Sequence, residues 1–110
     1  MKLTDFKVLT FDVVGTLIDF ERGVLASVRR LGGAAAKDLS DDQIFEPYMR
    51  GRAAFPGRSS HEMANVYLSL AKELNLPDDP QSAAAFQRDV LEWPAFADSV
   101  AALKRLRKHY

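Results

Sequence analysis

Asp12 stands at the end of an apolar run and opens the stretch Phe11-Asp12-Val13-Val14-Gly15-Thr16-Leu17-Ile18-Asp19. A carboxylate at the exit of a buried strand, followed by a glycine turn and a hydroxyl residue, is one way to build a nucleophile. The strand holds the side chain in place, and the turn leaves backbone N–H groups free to hold negative charge. The other side chains able to do chemistry are arginines at Arg50, Arg52 and Arg58 and a histidine at His61. An arginine fork suits a carboxylate. His61 sits beside Glu62 at the start of a helix and reads as a surface residue. The acidic pairs Asp41-Asp42 and Asp78-Asp79 read as helix N-termini rather than a metal site, and the basic run Lys104–His109 as the charge complement of a last helix.

These residues need elements to position them. Phe6 to Val13 has aromatic or aliphatic side chains on both faces, which predicts a buried parallel strand. The remainder reads as helices. Phe20 to Leu31 repeats Val24, Leu25, Val28 and Leu31, and Gly32-Gly33 ends it. Ser40 with Gln43 makes a capping box for a helix reaching about Ala53. Ser59 with Glu62 makes a second box. It opens a helix with Met63, Val66, Tyr67, Leu70, Ala71 and Leu74 on one stripe. That stripe reads as core, or as the mouth of a substrate site. Asp79-Pro80 is an N-cap followed by proline at the first helical position. The helix after it carries Ala84, Phe86, Val90 and Leu91. Asp98 caps a final helix with Val100, Leu103 and Leu106 inward.

Composition bounds the function. The chain has 110 residues, 47% hydrophobic and 27% charged, with zero formal net charge and no cysteine. Zero balance gives no support to nucleic-acid or membrane-surface binding. The absence of cysteine removes disulfides and thiolate chemistry and fits a reducing compartment, so a cytoplasmic location is expected. No apolar run approaches the roughly 20 residues of a membrane span.

The stretch from Phe11 to Asp19 resembles the first motif of the haloacid dehalogenase superfamily. Trp93-Pro94-Ala95-Phe96-Ala97-Asp98-Ser99-Val100, continued through Leu103 and Leu106, resembles the helix before that family's second core strand. The segment narrows the likeness to the 2-haloacid dehalogenase-like branch. The helices between, with Arg50-Gly51-Arg52 and Pro56-Gly57-Arg58, are similar to its inserted cap. The resemblance implies an α/β fold that is mostly helical as given and incomplete. Residues 1–19 would form a core strand and nucleophile loop, 20–92 a helical cap, and 93–110 a core helix leading to a second strand beyond Tyr110.

It further implies that Asp12 attacks the substrate and forms an ester that water hydrolyses, with Thr16 holding the loop. Backbone N–H groups after Asp12, at Val13, Val14 and Gly15, would cradle the anionic part of a small substrate. Arg50 and Arg52 are the better placed cap arginines for its carboxylate. Asp19 is given a structural role.

Val14 departs from the family's phosphatases, which carry a second aspartate there to protonate the leaving alcohol. Valine cannot move a proton, whereas halide leaves without one. Hydrolytic dehalogenation of a 2-haloacid, needing no cofactor, is therefore the first expectation. A magnesium-dependent phosphatase or phosphonatase, with Asp12 as metal ligand, is the second. A non-catalytic helical module that homodimerises through its unpaired strand is the third. The family's lysine counter-charge would lie beyond Tyr110, so the chain alone is expected to turn over poorly, if at all.

Overall fold

Local signals in the sequence set most of the observed elements. In a computed structural model that describes residues 1–110, five α-helices account for most of the chain. They are α1 (Phe20–Gly32), α2 (Asp41–Ala54), α3 (Ser59–Leu74), α4 (Pro80–Asp89) and α5 (Ser99–Leu106). Helix accounts for 65% of residues, and only 3% lie in isolated β-bridges.

Each start has a visible cause. The Asp19 carboxylate accepts from the Arg22 N–H and caps α1. At α2 the Ser40–Gln43 box closes in both directions, at 2.8 and 3.1 Å. Asp79 caps α4, taking the Ser82 N–H at 2.8 Å with Pro80 at the first helical position. Hydrogen bonds from the Ser82 backbone and hydroxyl hold the Asp79 carboxyl below its usual range. Helix α3 ends on Asn75 in the left-handed conformation, a usual C-terminal stop.

The Ser59 box is corrected. Helix α3 begins at Ser59 itself, and its N-cap is Arg58, which makes no capping bond. Helix α2 also runs through Pro47, which is buried, although proline removes one intrahelical hydrogen bond there. Burial of Ile44, Tyr48 and Gly51 on the same helix offsets that cost.

Helices α1 to α4 form a bundle with one hydrophobic core. Its fourteen buried residues all lie between Val24 and Trp93. Helix α3 supplies Met63, Val66, Tyr67, Leu70 and Ala71, as its stripe predicts, with Leu74 partly buried. Phe86 of α4 sits between Tyr67 and Tyr48, with ring centroids 5.3 and 6.4 Å away. On α4 the inward residues are Ala83 and Phe86; Ala84 is exposed and Leu91 is 89% exposed. A short 3-10 turn over Val90–Glu92 breaks the helical register before Leu91.

The expected strand over Phe6–Val13 is not formed. The segment has no ladder partner, and the bridges present are Val14 with Ile18 and Ile18 with Ala95. A strand is stable only beside another, and no other segment of the chain runs alongside it. Phe6, Val8, Phe11 and Val13 are consequently 44–73% exposed. The inward face expected of α5 is corrected for the same reason. Val100 and Leu103 are 55% and 38% exposed, and only Leu106 of the three is half-buried. The molecule is elongated: its radius of gyration is 16.9 Å, against about 13 Å for a compact chain of this length.

Burial pushes the Tyr48 phenol up from 10.0 to about 12, with the Arg52 charge pulling partly the other way. Burial also raises Tyr67, helped by the Asp79 charge. Folding therefore favours the neutral phenols. That stabilisation is complete below pH 10 and is lost as pH climbs through about 12. Urea midpoints should fall across that window, and Tyr48→Phe should flatten part of the fall. A midpoint independent of pH there would contradict it.

Candidate functional site

A neck of two chain segments fixes the Asp12 loop against the bundle. The Asp19 N–H donates to the Pro94 carbonyl at 2.8 Å, and the Phe96 N–H to the Leu17 carbonyl at 3.0 Å. The Ser99 hydroxyl, at the buried start of α5, adds a bond to the same Leu17 carbonyl at 2.8 Å. Nothing in the local pattern around Ser99 foretells this, because its partner is 82 residues away.

Above the neck the loop closes on itself. The Val13 carbonyl accepts from Thr16, Leu17 and Ile18, and the Gly15 N–H donates to Ile18 O at 2.9 Å. Gly15 has φ +88°, which side-chain-bearing residues rarely adopt. The Thr16 hydroxyl donates to Asp12 Oδ2 at 3.1 Å, so the two candidate catalytic residues are in contact. The anion cradle is narrower than expected. The Gly15 and Thr16 N–H groups are spent inside the turn, which leaves Val13 and Val14 as the loop's available donors. Asp12 is exposed and has no ion-pair partner.

Val14 lines a cleft of about 380 Å³ together with Phe20, Tyr48, Met49, Arg52, Ser59, Met63 and Trp93. Asp12 is not part of its wall. It lies two residues before Val14, about 7 Å along an extended backbone. The two cap arginines separate here. Arg50 is ion-paired with Glu73 on α3 and does not reach the cleft. Arg52 does line it. Arg52 Nη1 is anchored by the carbonyls of Phe55 and Gly57, at 2.8 and 2.9 Å. It has no carboxylate partner. It is the one arginine or lysine of the chain that is both partly buried and unpaired by an acid. Arg58 and His61 are exposed and outside the cleft.

Sequence reasoning missed Tyr48, Phe20 and Trp93 as wall residues. The phenylalanine ring stands 6.4 Å from the indole and 6.5 Å from the phenol, centroid to centroid. Of the α3 stripe, read as core or as substrate mouth, Met63 lines the cleft. Trp93 Nε1 is buried without a hydrogen-bond acceptor.

These residues do not make up a magnesium site. Asp12 is the only acid between Phe11 and Ile18, and no three histidine or acidic side chains gather anywhere. The chain's own donors do not fit a magnesium cradle. No helix is long and apolar enough to cross a membrane. No protein-family model matches the chain, and no curated protein is significantly similar to it.

Proposed function

We propose that this chain carries the nucleophile loop and helical cap of a haloacid dehalogenase-type hydrolase acting on a small anionic substrate. The observation that carries the reading is the shared cleft. Val14, two residues past Asp12, and Arg52, an acid-free arginine, line the same cavity. The Asp12–Thr16 bond and the Asp19 cap at the base of the loop add support.

In this reading Arg52 holds the substrate carboxylate. The Asp12 carboxylate attacks the carbon bearing the halogen, a C–O bond forms, and halide departs with the bonding electron pair. The loop's free N–H groups favour the negative charge. Water then cleaves the ester at the Asp12 carbonyl, returning the carboxylate and releasing a 2-hydroxy acid and a proton. No cation offsets the charge of Asp12, so turnover by the chain alone should fall orders of magnitude below the ordinary 1–10³ per second.

Prolonged incubation gives slow ester formation time to be read directly. After incubation with 2-chloropropionate, peptide mapping by mass spectrometry should locate a 1-carboxyethyl ester on Asp12, while Asp12→Asn should carry none. Unmodified Asp12 after prolonged incubation, with halide release no faster than buffer, would reject the hydrolase.

A second reading rests on the exposed apolar segment Phe6–Val13. Unpaired, apolar backbone of this kind promotes self-association. Sedimentation that returns a monomer at all concentrations would remove it.

A further inference from the structure

The cleft is far larger than a two- or three-carbon acid, and its walls differ in chemistry from end to end. A cavity of about 150 Å³ already admits a benzene ring; this one is about 380 Å³. Phe20, Met49, Met63, Trp93 and Val14 make an apolar wall, and Arg52, Tyr48 and Ser59 supply the polar groups.

From this we infer that the cleft's ligand is a carboxylate carrying a bulky, preferably aromatic, body, with Arg52 on the carboxylate and the Phe20–Trp93 wall on the ring. A partly buried guanidinium without an acid is an unfinished charge balance, and a ligand carboxylate completes it. Arg52 Nη1 is held by two carbonyls, so the fork is already oriented and its remaining N–H groups are available. The Tyr48 phenol stays protonated up to about pH 12, so it can donate a hydrogen bond to an anion at any ordinary pH. Phe20 and Trp93, tilted by 44° to each other, offer faces and edges to a ring. The ligand's role as a substrate rests on the hydrolase reading; its binding rests on the cleft alone.

Trp93 is the chain's only tryptophan and lines the cleft, so its emission reports occupancy directly. Titration of the 110-residue protein with phenylacetate should give a saturable change. Propionate, lacking the ring, and benzyl alcohol, lacking the charge, should each need about tenfold more or beyond. Arg52→Gln should weaken phenylacetate by about tenfold or more and leave benzyl alcohol unchanged. Arg52 also braces the α2–α3 turn, so Val14→Phe provides a second variant at a half-exposed position. It narrows the cleft and should weaken phenylacetate more than propionate. Equal binding of the three probes, or no saturable change with phenylacetate, would overturn the inference. Phenylacetate binding without an Asp12 ester upholds this ligand class while removing the hydrolase. An Asp12 ester formed on a protein that ignores phenylacetate does the reverse.

Discussion

Replacing Phe86 with alanine will lower unfolding free energy by about 3–5 kcal/mol. The ring is 1% exposed and packs between two tyrosines. Its removal forfeits apolar burial and leaves a cavity that three helices must collapse to close. Domains of this size hold only about 5–15 kcal/mol in total, and here fourteen residues make the whole core. A loss of that size leaves little margin. Urea denaturation followed by helical circular dichroism should show a midpoint lowered by roughly a fifth or more of its value. A loss below about 1 kcal/mol would mean that α4 does not close the core as described.

Valine at Gly23 will act from the opposite direction, by overfilling. A Cβ at Gly23 would lie 2.3 Å from Trp93 Cδ1 and 2.6 Å from Cγ. No real pair of carbon atoms tolerates that separation, so either α1 retreats or the indole leaves its seat. Overpacking in a dense interior costs about 1–3 kcal/mol, and the upper end is expected because the clash falls on a rigid ring. Trp93 also walls the cleft. Gly23→Val should therefore shift tryptophan emission toward that of a water-exposed indole and abolish the phenylacetate response together. Retention of the native emission maximum would show that α1 and Trp93 are not in the contact described here. The Gly23 effect differs in kind from the Phe86 one: it moves the cleft wall itself rather than the support behind it.

The bundle was legible wherever its cause was local. Ser40 with Gln43, Asp79 with Pro80 and the Met63–Ala71 stripe each act within a few residues, and each appears in the structure as its spacing predicts. Short-range rules erred at four places, the first being the strand predicted over Phe6–Val13, which is not formed. They also set the Ser59 cap one residue late, turned Ala84 and Leu91 inward, and buried Val100 and Leu103 of α5, which are exposed. Alternation and periodicity state which residues would be buried if a neighbour came; they do not supply the neighbour.

The same division holds for the candidate site. Asp12, Val14, Gly15 and Thr16 lie within five consecutive positions, so their order alone identifies a loop able to pair a carboxylate with a hydroxyl, and the Asp12–Thr16 bond links residues four apart. Arg50 and Arg52 were equal on paper. A helix turns about 100° per residue, so two residues on one helix two apart face nearly opposite ways. One meets Glu73 and the other meets the cleft. Helices, caps and the chemistry of one loop thus come from side chains that are neighbours along the chain. The neck through Ser99, the choice of Arg52, and the aromatic wall of Phe20, Tyr48 and Trp93 come from residues up to 82 positions apart. Such partners are selected only when the folded bundle brings them within a few ångströms.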